Sequence, residues 1–407
     1  MLFWTLKKLR SKSLVTREKA VKDLASHHGD RALKALIGAT HDEEESVRIA
    51  AADLLLARNW PKSPSERANL LIVANRYERA GREEGAAAVP LLARVLQERS
   101  RFLAIIRPTT VRRVAEALGY TRDVSAVPTL LKGLTDGALD VDDVARALVN
   151  LGRVAVVPLI EALRAASFLE NLAATRALGE IGDHRAFGPL ASILKEDMGA
   201  NISRQHEARL ALEKLHHPSS SEVIKTYLTK LVQSLRDPAN PDRASIIKHL
   251  GQTQEPFVLS AILPWLTNND SRLRGDAEAA AKTIVSQKGI VFSEADITAA
   301  VDFLSWGLES QSGAWESKCV LLELLRNYGR FISDEQLDRL ASVRDTYVVT
   351  RERSFGGYYT EGPWPEFVDT GNPEESRGTH NDEIRLAAKA EIQRRGRPGG
   401  AGTARYS

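Results

Sequence analysis

A proline that keeps returning constrains this chain more than any other feature. Four segments open alike: Ala88-Val-Pro-Leu-Leu, Ala126-Val-Pro-Thr-Leu-Leu, Val156-Val-Pro-Leu-Ile and Phe187-Gly-Pro-Leu-Ala. Their prolines, Pro90, Pro128, Pro158 and Pro189, are 38, 30 and 31 residues apart. After each comes a second stretch with a shared ending: Val114-Ala-Glu-Ala-Leu-Gly, Val144-Ala-Arg-Ala-Leu-Val, Ala174-Thr-Arg-Ala-Leu-Gly and Ala208-Arg-Leu-Ala-Leu-Glu. A unit of this size, apolar on two sides, cannot bury itself alone and must stack on its neighbours.

Each letter has a physical reason. Proline is tolerated in the first turn of a helix, where its missing N–H would have no partner, so the four prolines mark the starts of first helices. Leucines three and four apart give each helix one apolar stripe. Alanines in the second helix allow close approach, and Gly119 and Gly179 are expected to help end it. The pattern predicts an all-α fold, a right-handed α-solenoid (superhelix) of roughly eight to ten antiparallel helix pairs.

The combined motif, xVPxLxxxL followed by AxxALGxIGD, resembles the HEAT-repeat family in its bacterial, phycobilin-lyase-like form, with residues 174–183 as its fullest copy. The resemblance covers residues 86–217 and extends to 30–58 and 255–287; residues 65–80, 222–236, 293–309 and 315–328 are helical by period alone. The expected organisation is N-terminal capping helices over 1–29, a HEAT-repeat array over 30–217 and degenerate HEAT-like repeats over 218–345. An inserted loop over 346–380, a final helix over 381–395 and a flexible basic tail over 396–407 complete it.

Composition excludes several classes. Of 407 residues, 43% are hydrophobic and 27% charged, an ordinary globular balance. The single cysteine, Cys319, cannot form an internal disulfide or a thiolate metal site, which fits a reducing, cytoplasmic setting. It sits in an apolar helical stretch and reads as a structural thiol. A net charge of +3 selects no partner. No stretch approaches the roughly 20 apolar residues of a transmembrane segment. Leu2, Phe3, Leu6 and Leu9 share a helical face with Lys7, Lys8, Arg10 and Lys12 around them, which fits either a cap on the first repeat or contact with a membrane surface.

The inserted segment departs from the repeat. Residues 334–345 read as a first helix and 382–392 as its partner, where a HEAT repeat carries only a short turn between the two. Tyr347, Phe355, Tyr358, Tyr359, Trp364 and Phe367 crowd into 21 residues, with Arg351 and Arg353 beside them. Disordered segments are poor in aromatics, and Tyr, Trp and Arg are the types that most often anchor partners. Two roles fit: a cover for the last repeats, or a binding element.

Catalytic signatures are missing from the sequence. Arg204-Gln-His-Glu resembles the His-Glu pairs of deoxyhypusine hydroxylase, a HEAT-repeat enzyme with a di-iron centre. The aligned pairs of the other repeats are Arg112-Arg113, Asp142-Asp143 and Leu172-Ala173, so His206 and Glu207 read as helix-surface residues with no metal between them. No phosphate loop, nucleophile elbow or zinc motif occurs, and no catalytic residue or cofactor is expected. Arg112, Arg113, Arg146 and Arg176 fall on successive second helices, as in the HEAT-like solenoids that hold DNA. Glu116, Asp142, Asp143 and Glu180 interrupt them, which favours a ladder with turn aspartates such as Asp42 and Asp136. The expected function is a non-enzymatic scaffold that binds a protein partner. Its candidate contacts are Arg112, Arg113, Arg146 and Arg176 in the groove and Tyr347, Arg351, Arg353, Phe355, Tyr358, Tyr359 and Trp364 in the loop. Nucleic-acid binding and a phycobilin-lyase-like activity on a partner protein are the alternatives.

Overall fold

A computed structural model of the chain describes residues 2–99, 108–164, 167–196, 202–237, 239–253, 255–287, 290–308, 314–343 and 381–396. Among these residues every regular element is helical. The chain divides into two compact units, Met1–Ile224 and Lys225–Ser407.

The first unit is a run of helix pairs. α1 (Leu2–Lys8) packs on α2 (Leu14–Leu24), α3 (Asp30–Ala39) on α4 (Glu45–Ala57), and α5 (Pro64–Val73) on α6 (Tyr77–Glu84). The repeats legible in the sequence follow as α7 (Val89–Arg99) on α8 (Pro108–Tyr120), α9 (Ala126–Thr135) on α10 (Val141–Leu151), α11 (Val156–Ala162) on α12 (Phe168–Ile181), and α13 (Phe187–Lys195) on α14 (Ile202–Leu215). Pro90, Pro128, Pro158 and Pro189 all lie in the first turn of α7, α9, α11 and α13, as their missing N–H requires. Leu92, Leu118, Leu130, Leu148, Leu159 and Leu178 are fully buried between the layers, each at its helix's apolar stripe.

Side-chain caps fix several starts. Asp140 accepts a hydrogen bond from the Asp143 N–H at 2.7 Å, and Ser167 accepts one from Glu170 N–H at 3.4 Å. Helix ends use left-handed or otherwise positive backbone angles at Gly152 (φ +73°) and Gly182 (φ +69°), conformations that cost glycine little.

Gly119 and Gly179 do a different job from the one expected of them. Both are still helical, inside α8 and α12, and what demands glycine there is the neighbouring second helix. A Cβ on Gly119 would lie 2.5 Å from the Ala147 carbonyl oxygen, and one on Gly179 would lie 2.7 Å from Ala211 Cα. Gly81 on α6 faces Ala117 in the same way, at 2.1 Å from its carbonyl oxygen. Along α6, α8, α10, α12 and α14, which pack consecutively, glycine on one helix thus seats against alanine on the next at three of the four junctions. The fourth position of this series is Val149 on α10.

The second unit repeats the scheme with a weaker sequence pattern. α15 (Ser220–Leu235) runs through the division point, and α16 (Arg243–Leu250), α17 (Phe257–Ile262) and α18 (Ser271–Ser286) follow. Then come α19 (Glu294–Gly307), α20 (Ala314–Tyr328), α21 (Asp334–Ala341) and α22 (Asp382–Arg394). α16, α18, α20 and α22 form the second-helix row. Gly251 meets Ala280 with a notional Cβ 2.7 Å from its Cα, and Gly307 meets Ser317, so small-against-small seating persists where the letters have drifted. α21 and α22 pack together although residues 342–381 separate them in sequence. Arg385 donates to the Val343 carbonyl at 2.8 Å, and Arg395 donates to the carbonyls of Gly329 at 2.7 Å and Ile332 at 2.9 Å. These bonds tie the final helix to its partner.

The seating gives a pair of substitutions with opposite signs. Gly179→Val should destabilise the chain by about 1–3 kcal/mol, the usual cost of overpacking. Gly188→Ala, at an exposed helical site with nothing within 4 Å of the new methyl, should stabilise it by about 0.5 kcal/mol. Chemical denaturation of both variants beside the parent chain reads the two shifts directly.

Candidate functional site

The row of second helices in the first unit carries a cleft of about 580 Å³. Its floor is apolar: Ala145 and Val149 from α10, Leu210 and Ala211 from α14. Its rim is charged, with Asp142 and Arg146 from α10, Arg176 and Glu180 from α12, and Glu207 and Lys214 from α14. Aligned repeats place Glu116, Arg146, Arg176 and Leu210 at one equivalent position of four consecutive second helices, and the last three of them line the cleft. Val149 stands where glycine seats the neighbouring helix elsewhere, and its side chain reaches the cleft instead.

The rim cations meet carboxylates across helix boundaries. Arg176 grips Glu207 with both limbs of its fork, Nη2 to Oε1 at 2.7 Å and Nε to Oε2 at 3.1 Å, and its Nη1 meets Asp142 Oδ1 at 2.6 Å. One guanidinium therefore bridges α10, α12 and α14. The bond to Glu207 is the main reason that the Arg176 pKa is raised above its usual value. Arg146 sits 3.5 Å from Glu116 and 3.4 Å from Asp143, while Arg112 sits 3.3 Å from Asp143 and 3.4 Å from Glu116. Lys214 pairs with Glu180. Desolvation, reinforced by the nearby charge of Asp140, pushes the Asp143 carboxyl above the ordinary range despite its two arginines. Arg113 lies apart from this network; it donates to the Asn75 carbonyl at 2.9 Å and stands over the Tyr77 ring at 5.4 Å.

A ladder of arginines and acids exists, but mostly with other acids than the turn aspartates expected. Its carboxylates are Glu116, Asp142, Asp143 and Glu207 on the helices themselves, because helix-to-helix spacing brings these within reach of a fork. Asp136 is exposed at the end of α9. Asp42 does take a buried arginine, Arg17, at 3.0 Å. Glu207 is engaged by Arg176, and His206 is buried, so neither is the free surface residue that the sequence suggested. Glu207 lies on the side of α14 that packs against α12, which brings it within reach of Arg176. Lys214, Leu210 and Val149 escaped the sequence reading; aligning the repeats in columns is the signal that finds them. Tyr347, Arg351, Arg353, Phe355, Tyr358, Tyr359 and Trp364 lie outside the described residues.

Chemistry elsewhere is sparse. Among the described residues no group of three His, Cys, Asp or Glu side chains is placed to hold a metal ion. No helix among them is long and apolar enough to cross a membrane. Cys319 on α20 is half-buried, and desolvation, with help from Glu278, pushes its thiol up to about 11.

These features define the class: the chain is an all-α solenoid of HEAT-type antiparallel helix pairs. Residues 172–196, which span most of α12 and the whole of α13, match the PBS lyase HEAT-like repeat family. No curated protein matches the chain in sequence. Similar solved structures include Kap121p, with 13% identity and a TM-score of 0.49 over 84% of this chain and 44% of that one. Human deoxyhypusine hydroxylase is similar at 19% identity and a TM-score of 0.24, over 70% of this chain and 96% of the enzyme. The CpcE–CpcF complex of phycocyanin lyase from Nostoc sp. PCC7120 has 20% identity and a TM-score of 0.23, over 72% of this chain and 90% of that one. The chain spans less than half the length of Kap121p.

Two measurements check the electrostatics of these sites. A double-mutant cycle on Arg176→Ala and Glu207→Ala should give a coupling of about 1 kcal/mol in unfolding free energy, shrinking in high salt. Cys319 should alkylate slowly at neutral pH, because it is protonated there, and its rate should climb as pH rises towards 11.

Proposed function

We propose that this chain is a binding scaffold that receives an extended segment of a protein partner along the cleft of its second helices. The observation that supports this most is the cleft's make-up, an apolar floor within a rim of both charge signs. Such a surface suits an amphipathic polypeptide: apolar side chains can settle on Val149 and Leu210, while polar groups bond to a rim already held in place by its own ion pairs. Stacked repeats offer surfaces of this extended kind in general. The same pairing counts against phosphate recognition here, since Arg112, Arg146 and Arg176 would have to give up Asp143, Glu116, Asp142 and Glu207 to meet a nucleic acid. In this proposal the aromatic segment 346–380 also contacts the partner, through residues such as Tyr358 and Trp364.

The match of residues 172–196 to a repeat named for a lyase favours a second reading, action on a tetrapyrrole carried by a partner protein. Absorbance in the visible range that stays with the purified chain would turn the assignment that way.

The main test is quantitative affinity purification from the native host with the full-length chain, a Val149→Glu/Leu210→Glu variant, and a chain with residues 347–379 replaced by a short Gly-Ser turn. A partner whose recovery falls at least about tenfold with the cleft variant, which should melt near the parent temperature because both sites are half-buried, supports the cleft. Equal recovery from parent and cleft variant would reject it.

A further inference from the structure

Arg112, Arg146, Arg176 and Lys214 on the second helices are paired with acids, but another set of cations is not. α1 docks by one face only. Leu2 and Leu6, with Leu9 just beyond the helix, pack on the core formed with α2, α3 and α4, where Leu24, Leu36 and Leu55 are fully buried. The opposite face carries Phe3 and Trp4, which are 71% and 64% exposed although they are among the largest apolar side chains in the chain. Their rings meet edge to face with centroids 6.1 Å apart. One turn on, at the spacing that puts side chains on the same face, stand Lys7 and Lys8, both exposed, with the Lys7 ammonium 5.7 Å from the centre of the Trp4 ring. Arg10 and Lys12 continue the exposed positive charge into the turn before α2.

The charge is one-sided. Residues 1–22 hold seven Lys and Arg and a single acid, Glu18. Of the seven, Arg17 is buried against Asp42 and Glu43; among the described residues, none of Lys7, Lys8, Arg10 or Lys12 meets a carboxylate. On the second helices of the same unit Arg112, Arg146, Arg176 and Lys214 each meet an acid, and the α1 cluster contrasts with them.

We propose that the outer face of α1 binds the surface of an anionic lipid bilayer. The aromatic pair would enter the boundary between headgroups and acyl chains, and the four cations would lie at headgroup level, the division of labour of an interfacial helix. Two kinds of attraction are needed for stable attachment, and this face has both. A nucleic-acid duplex would gain from the cations but would leave Phe3 and Trp4 in water. A bilayer uses all six side chains. The inner face of α1 stays docked on the core, so attachment needs no unfolding, and the cleft on α10, α12 and α14 is not involved.

The test is co-sedimentation of the full-length chain with vesicles of phosphatidylcholine alone or mixed with phosphatidylglycerol. Two variants accompany it, Phe3→Ser/Trp4→Ser and Lys7→Gln/Lys8→Gln, each verified by thermal melting to keep the parent fold. Binding to the mixed vesicles and not to the neutral ones is expected, with each variant losing at least about tenfold in apparent partitioning. Absence of binding to the mixed vesicles, or equal binding to both kinds, would overturn the proposal. So would full binding by the serine variant, which would make the patch a general polyanion site. The Val149→Glu/Leu210→Glu chain should bind vesicles like the parent, so failure of the cleft and failure of this surface are separate results.

Discussion

The contact on which the rest of the structure depends is the seating of small residues between successive second helices. A notional Cβ on Gly81, Gly119 or Gly179 would fall between 2.1 and 2.7 Å from the backbone of Ala117, Ala147 or Ala211. Distances of that kind mean that two helix backbones approach as closely as sterics permit. The leucines of the first helices can then reach across and bury fully, as Leu130 and Leu159 do. Unlike a substitution at a cap or a surface ion pair, a larger side chain at these three glycines would meet the backbone of the neighbouring helix itself.

The same spacing creates the ion-pair ladder. Helices this close put residue columns of neighbouring repeats within reach of an arginine fork, and Arg176 accordingly holds carboxylates on both α10 and α14. Where the glycine series is interrupted at Val149, the side chain that replaces it becomes part of a cleft floor. The candidate site is therefore a local exception in the repeat's packing. It lies between regular junctions on either side, and its rim charges are held in place by their own ion pairs.

Two surfaces of the first unit treat charge in opposite ways. On the second-helix row, Arg112, Arg146, Arg176 and Lys214 all meet acids, which leaves a face that is polar and close to neutral. On α1, the cations stand with exposed aromatics and without acids. The overall net charge of +3 conceals this difference, because it averages a balanced groove with a one-sided helix.

Much of the fold was legible in the letters. Pro90, Pro128, Pro158 and Pro189 mark helix starts because a pyrrolidine ring tolerates only the first turn, and the leucine period marks which face is buried; both are local rules that a sequence states openly. The roles of Gly119 and Gly179 were not legible, since a glycine near a helix end looks the same whether it serves the chain's next turn or a neighbour's backbone. Nor could the sequence say which acids would meet Arg112, Arg146 and Arg176, or that His206 would be covered, because both depend on the distance and rotation between helices some 30 residues apart. By itself the sequence determined a stack of HEAT-type helix pairs, because periodicity and proline act within a few residues. Only the tertiary structure decided where the stack opens into a cleft and which charges remain unpaired, because those are properties of the space between helices.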